Sequence, residues 1–204
     1  ISALFDQYSV TYDEHLYQQL HYRVPQQMLD LLTKKQIQLT HRPILDLGCG
    51  TGLAGEIFHP LAGHLIGVDL SQQMLMQAGR KKLYDLLIQA DINMPFLDKE
   101  SVFLISAADV LVYNGDLNSI FSQAQRILQS QGYFLFSVET LKQSFWQRKA
   151  FLLQRTGRYR HSLHYLTKLA KQYGFRVLET QETVLREQDF EQVPGSIILL
   201  QKKV

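Results

Sequence analysis

The 204-residue chain holds a single cysteine, Cys49. That scarcity excludes an internal disulfide and any metal site built from several thiolates; no metal is expected, and a reducing, cytoplasmic setting fits. Long apolar runs are missing too. The richest stretch, Val102 to Val112, is interrupted by polar residues and falls well short of the roughly 20 residues a membrane helix requires. No membrane partner is expected. Charge of one sign is equally scarce, with 21 Lys+Arg against 19 Asp+Glu and no basic block longer than Arg80-Lys81-Lys82. A net charge of +2 is too small to suggest a polyanion-binding surface, so nucleic acid is not an expected partner. Internal repeats, low-complexity tracts and a cationic-then-apolar leader are absent as well. The first residue is Ile1 rather than Met, which leaves a preceding segment open.

What remains is the balance of a globular protein, 46% hydrophobic and 20% charged, at a length that suits one sizeable α/β domain. Residues 4–39 carry apolar positions at helical spacing (Leu4, Phe5, Tyr8, Tyr12, then Val24, Met28, Leu31, Leu32), with Pro25 tolerable in a first turn. From residue 43 the pattern changes to short apolar runs divided by helix-length segments, as in a parallel sheet covered on both faces. Strands are expected at 43–47, 64–69, 86–90, 102–108 and 132–138. Ser71 caps a helix to about Ala78, Asp116 opens another to about Leu128, and 162–173 reads as a third. "FRVLET" and "SIILLQKKV" supply two further strands, with Pro194-Gly195 marking a turn before the last.

"ILDLGCGTGLAGEIF", residues 44–58, places Gly48, Gly50 and Gly52 between a strand and a helix, where side chains would keep a ligand from backbone N–H groups. That points to a nucleotide-type site. Asp69 ends the second strand, where a carboxylate accepts both hydroxyls of a ribose. Asp91 ends the third strand in "IQADIN" and offers another acceptor on the same sheet edge. A nicotinamide-dependent oxidoreductase would want G-x-G-x-x-G, but the third position of that pattern is Leu53 here, and Asp46 before the glycines is unusual for a dinucleotide turn.

With those residues in view, "LDLGCGTG" (45–52), "GVDLSQQML" (67–75), "QADI" (89–92) and "DVLVYNGDL" (109–117) resemble the ordered motifs of class I S-adenosylmethionine-dependent methyltransferases. "FDQYSVTYDEHL", "YRVP", "DVLVYNGDL" and "GRYRHS" resemble more narrowly bacterial predicted methyltransferases related to tetratricopeptide-repeat proteins. The resemblance implies a Rossmann-like α/β three-layer sandwich with N-terminal helices. Its sheet would have seven mostly parallel strands in the order 3-2-1-4-5-7-6, strand seven antiparallel. It implies S-adenosyl-L-methionine as cofactor, S-adenosyl-L-homocysteine as product, and a small-molecule or carrier-bound acceptor. Asp46, Gly48 and Gly50 would line the methionine part, with Cys49 packed at the bend. Asp69 would meet the ribose, Leu70 and Met74 the adenine, and Asp91 the adenine amino group, flanked by Ala90 and Ile92. Ala108 and Asp109 would lie under the sulfonium. Arg23 would pair with the cofactor carboxylate or stay solvated on the surface. In the N-terminal helical region, residues 1–40, Tyr8 and Tyr12 stand four apart and would either form a lid over the cofactor or pack in the core.

Methyl transfer from a sulfonium demands alignment and exclusion of water first, and a base only when the acceptor arrives protonated. The acceptor side is expected beyond strand five, in 140–161. Candidates for catalytic work are Tyr12, Asp109, Tyr113, Glu139, Tyr159 and His161, with Arg155, Arg158 and Arg160 able to meet an anion. Base-amino methylation is disfavoured, because "ADVLVY" has no proline where those enzymes carry Asn/Asp-Pro-Pro. Pyrimidine C5 methylation is disfavoured by the lack of a second cysteine. Two rival readings stay open, a nicotinamide oxidoreductase and a non-catalytic cofactor-binding module.

Overall fold

The computed structural model describes residues 22–141, 149–188 and 191–204. Tyr8 and Tyr12, and with them the aromatic part of the expected lid, lie outside those residues. Helix α1 (Val24–Lys34) begins with Pro25 in its first turn, where its missing N–H has no intrahelical duty, and it buries Val24, Met28, Leu31 and Leu32 along one stripe. Next come β1 (Arg42–Leu47), α2 (Leu53–Phe58), β2 (Ala62–Asp69), α3 (Gln72–Arg80), β3 (Leu86–Gln89) and β4 (Val102–Ala107). A 3-10 turn at Leu111–Tyr113 leads to α4 (Asn118–Ile127) and β5 (Leu128–Thr140). The chain closes with β6 (Phe151–Leu153), β7 (Tyr159–His161), α5 (Leu163–Gln172), β8 (Phe175–Gln188) and β9 (Glu191–Lys202).

Strands β3-β2-β1-β4-β5 run parallel, β9 pairs antiparallel with β5, and β8 pairs antiparallel with β9. With β8 and β9 counted as sixth and seventh, this is the 3-2-1-4-5-7-6 order with an antiparallel seventh strand. The β6–β7 hairpin is an addition that the sequence pattern did not signal. It joins the sheet where β7 pairs parallel with the end of β5, at Glu139 and Thr140.

Alternation along each strand sends neighbours to opposite faces. Ile44, Leu65, Leu104 and Leu135 pack with α1 and α2. Leu45, Ile66, Ile105, Phe134 and Phe136 pack with α4 and α5. On the second face Phe121 of α4 meets Phe134, Phe136 and Phe175 edge-on at centroid separations of 5.6, 5.8 and 6.2 Å. Both faces are therefore covered, which explains the unbroken apolar runs of the parallel strands.

Two expectations need correcting. Pro194-Gly195 is no turn, because β9 runs straight through it: Pro194 pairs with Val184 and Gly195 with Thr183 and Glu139. A Cβ on Gly195 would sit 2.4 Å from Leu185 Cδ1 and 2.4 Å from the Val138 carbonyl, so this glycine lets three strands close up. The proline is tolerated beside a register shift between Val184 and Arg186. The helix expected to open at Asp116 begins instead at Asn118, since the Asp116 carboxylate turns back to accept the Asn118 backbone N–H at 2.9 Å. Ser71 caps its helix as expected, accepting from the Met74 N–H, and Ser162 caps α5 in the same way, accepting from the Tyr165 N–H. Among the described residues no helix is long and apolar enough to cross a membrane.

Candidate active site

The parallel strands all point their C-terminal ends at one sheet edge, and a cleft of about 260 Å³ opens there. After β1 the chain contributes Gly48 and Gly50; after β2, Asp69, Leu70 and Ser71, with Met74 from α3. Asp91, Ile92 and Asn93 follow β3. Ala108, Asp109 and Val110 follow β4, with Tyr113 and Asn114 from the 3-10 turn. Ten residues singled out in the sequence thus share one cleft: Gly48, Gly50, Asp69, Leu70, Met74, Asp91, Ile92, Ala108, Asp109 and Tyr113.

The bend is held from beneath. Backbone N–H groups of Gly48 and Cys49 both donate to the Val68 carbonyl, at 2.7 and 2.9 Å. The Gly50 N–H donates to Asp69 Oδ2 at 2.9 Å, and the Ser71 N–H donates to Asp69 Oδ1 at 2.8 Å. Each oxygen of Asp69 is thereby aimed by the backbone, and each carries two lone pairs. Asp91 Oδ1 accepts both the backbone and side-chain N–H of Asn93, at 2.9 Å each, in an Asx turn.

The glycines divide their work differently from the sequence expectation. A Cβ on Gly50, at φ +52°, would meet nothing within 4 Å, so only this glycine of the bend opens onto free space. A Cβ on Gly48 would strike Val110 Cγ2 at 2.5 Å, and one on Gly55 would strike the Tyr84 hydroxyl at 2.4 Å. Gly52 also faces the Tyr84 ring, at 3.1 Å. Most of the motif therefore makes room for side chains.

Asp46 is buried, and Tyr84 donates to its Oδ2 at 2.6 Å. Burial pushes the Asp46 carboxyl up to about 7, with Asp69 adding to the rise and the Tyr84 hydrogen bond opposing it. Asp46 lines a smaller cavity of about 30 Å³ that shares Gly48, Gly50 and Ala108 with the main cleft. Cys49 is buried beside it, and burial raises its thiol pKa, as expected of a packed cysteine rather than a thiolate nucleophile.

On the other side of the cleft, Asp109 sits at φ +60° immediately after β4, and its N–H donates to Ser137 Oγ at 2.8 Å. Arg186 of β8 donates from Nη1 to both Asp109 oxygens at 3.1 and 3.2 Å, and from Nη2 to Glu139 Oε1. Arg158 donates to the Tyr113 hydroxyl at 3.3 Å, and burial raises the Tyr113 pKa.

Several sequence candidates lie elsewhere. Arg23 is exposed at the start of α1, and Ala90 packs against the core. Glu139 is 3% exposed within the Arg186 pair. Tyr159 packs edge-on against Phe151 in the hairpin, and Arg155 is exposed in its turn. His161 is removed from the cleft wall: its buried Nε2 lies 2.9 and 3.1 Å from the carbonyls of Asn114 and Gly115, holding the turn below. Burial lowers its pKa, which suits a neutral ring donating to those carbonyls. Among the described residues no group of three or more His, Cys, Asp or Glu could hold a metal ion.

Two contributors escaped the sequence reading. Arg186 stands in "VLREQ" with no local signature, and only the β8–β9 pairing carries it to the cleft. Tyr84 lies in the loop before β3 and could have been suspected only from how many glycines need a neighbour.

Comparison with known proteins gives a consistent picture. Residues 45–136 match the family described as "Methyltransferase domain". Over 95 residues, 46% of this chain and 36% of the relative, the chain is 30% identical to a malonyl-[acyl-carrier protein] O-methyltransferase of Hamiltonella defensa. It is 29% identical over 138 residues to the protein of the same description from Salmonella typhimurium, covering 67% of this chain and 52% of that one. The chain thus spans between about a third and a half of the length of these two relatives. The magnesium protoporphyrin IX methyltransferase of Synechocystis PCC 6803, solved with S-adenosylhomocysteine, has the same fold. Its TM-score is 0.70 at 15% identity, covering 90% of this chain and 84% of that one. The family match over residues 45–136 and the sheet order agree, and the described residues carry the Rossmann-like α/β fold of the solved S-adenosylmethionine-dependent methyltransferases.

Proposed function

We propose that the protein transfers a methyl group from S-adenosylmethionine to a small-molecule or carrier-bound acceptor. The observation that carries this reading is Asp69, aimed by the Gly50 and Ser71 N–H groups into a cleft whose other walls are Leu70, Met74, Ile92 and Asp91. That donor set fits a nucleoside with an amino-acid tail. A carboxylate suits a ribose diol, apolar side chains suit a purine face, and Asp46 beside the bend suits an ammonium.

Bound S-adenosylmethionine supplies an electrophilic methyl on a sulfonium and a neutral thioether as leaving group. The residues of the chain do the rest. Asp69 fixes the ribose, Asp91 accepts from the adenine amino group, and Gly50 leaves space for the amino-acid tail to lie against backbone. Ala108 and Asp109 close the floor where the methyl is presented. Alignment of this kind can account for roughly 7–11 kcal/mol of a transfer barrier.

For the acceptor, the relatives' descriptions support a carboxylate on a carrier. A carboxylate reaches the site already deprotonated and needs no base. The candidate bases are consistent with that: His161 is engaged by carbonyls, Asp109 and Glu139 are engaged by Arg186, and the Tyr113 phenol resists ionisation. The β6–β7 hairpin forms the outer wall of this side. The narrower likeness to methyltransferases related to tetratricopeptide-repeat proteins is supported by "FDQYSVTYDEHL" and "GRYRHS", and a cytoplasmic setting by the lone cysteine.

Isothermal titration with S-adenosylhomocysteine tests the cofactor. Asp69→Ala, folded by circular dichroism, is expected to bind at least about tenfold more weakly, one lost charge-assisted hydrogen bond being worth roughly 1.5–3 kcal/mol. Undiminished binding by that variant would overturn the assignment. Methyl-labelled cofactor offered with a malonyl-carrier thioester, and separately with free amines and alcohols, tests the acceptor; label on the carrier thioester alone is the expected result.

A further inference from the structure

Tyr84 belongs to no strand or helix of the cleft, yet glycines at the end of the bend, in α2 and in β2 all make room for it. Its ring and hydroxyl occupy the places where Cβ atoms on Gly52, Gly55 and Gly67 would lie, at 3.1, 2.4 and 2.9 Å. Its oxygen accepts the backbone N–H of Gly55, in the first turn of α2, and its hydrogen goes to Asp46 Oδ2 at 2.6 Å. Three glycines on two elements are thus kept small for one phenol. That phenol connects a helix N–H to a buried carboxylate next to the cleft.

We infer that Tyr84 is a positioning residue for cofactor recognition: its hydroxyl orients Asp46 and holds it as a carboxylate for the ammonium end of S-adenosylmethionine. The inference rests on the proposed cofactor and adds a residue that does not touch it. The charged and titratable groups facing Asp46 include the Tyr84 phenol from the loop before β3, the Asp69 carboxylate from the end of β2, the Cys49 thiol of the bend and, across the small cavity, Tyr22 just ahead of α1. Asp69 and burial both favour the protonated form of Asp46; the Tyr84 hydrogen bond favours the ionised one. The Tyr84 proton itself stays in place, because burial and the neighbouring Asp46 raise the phenol pKa.

The sign follows directly. Asp46 titrates at about 7, so it is neutral below that pH and carries charge above it. An ammonium ligand prefers the ionised form, and its affinity therefore rises with pH through neutrality. Removing the hydroxyl takes away a hydrogen bond that stabilises the carboxylate, and the rise moves to higher pH.

Titration calorimetry of the full chain with S-adenosylhomocysteine, from pH 5.5 to 8.5, reads this out for wild type, Tyr84→Phe and Asp46→Asn. The expected result is a midpoint about one pH unit higher in Tyr84→Phe, with affinity about tenfold weaker at pH 6 and close to wild type at pH 8.5. Asp46→Asn is expected to lose the pH step altogether, which keeps the test alive should Tyr84→Phe fold poorly. Methylthioadenosine, which lacks the amino-acid tail, should show no step in any of the three. An unshifted midpoint in Tyr84→Phe, an equal loss at every pH, or a step retained in Asp46→Asn would each overturn the inference. Failure of wild type to bind S-adenosylhomocysteine at any pH would instead sink the cofactor assignment.

Discussion

The buried Arg186 fork ties β8 to Asp109 of the cleft and to Glu139 at the end of β5. Arg186 is 2% exposed and spans Asp109 on one side and Glu139 on the other. Such a pair contributes little over an apolar replacement of the whole set, but breaking it from one side strands charge in a low-dielectric interior. Arg186→Met is expected to cost about 3–5 kcal/mol of stability in urea denaturation, because two carboxylates lose their shared cation. Adding Asp109→Asn and Glu139→Gln should recover most of the loss, and absence of that recovery would show that packing rather than charge carries the effect. Residue chemistry here was only half legible. Asp69 and Asp91 could be read from strand ends, and Asp46 and Asp109 from the resemblance of their motifs, whereas the partners Arg186 and Tyr84 lie 77 and 38 positions away in sequence from Asp109 and Asp46 respectively.

Among the elements, the β6–β7 hairpin is the one that the apolar pattern concealed. Its strands are three residues each, too short for a period of two to register. Packing gives it a role: Phe151 and Tyr159 occupy the space where a Cβ on Gly115 would lie, at 2.8 Å each, just beyond the turn that carries Tyr113 and Asn114 into the cleft. Phe151 also packs against Tyr165 at 5.8 Å. Phe151→Ala should therefore loosen the acceptor wall and leave the Asp69 side alone. Transfer is expected to slow by up to about 100-fold, as misplacement of roughly an ångström can produce, while S-adenosylhomocysteine affinity stays unchanged. Equal losses in both measurements would place the hairpin in the cofactor half instead. The same lesson applies to β9, where Pro-Gly reads locally as a turn, yet the close approach of Leu185 and Val138 makes glycine a requirement of strand packing.

For the whole molecule, the layered core and the cleft are coupled through the strand ends that form both. Ligand bound to the folded chain alone stabilises it by mass action, about 2.7 kcal/mol at a concentration one hundred times the dissociation constant. For a chain of this length that corresponds to a rise in melting temperature of roughly 5–10 °C. S-adenosylhomocysteine is expected to produce that rise in a thermal melt and NADH to produce none, which separates the methyltransferase reading from the nicotinamide one. A rise with NADH and none with S-adenosylhomocysteine would reverse the assignment.

The sequence by itself determined the local chemistry. Apolar runs specify strands, Ser71 and Ser162 specify helix starts, and acids immediately after strands specify a polar sheet edge, because each depends on residues within a few positions of one another. Only the tertiary structure decided which side chains the glycines shelter, which cation holds Asp109, and that His161 faces inward. Those outcomes depend on contacts between distant segments, and no local pattern encodes which buried groups will meet.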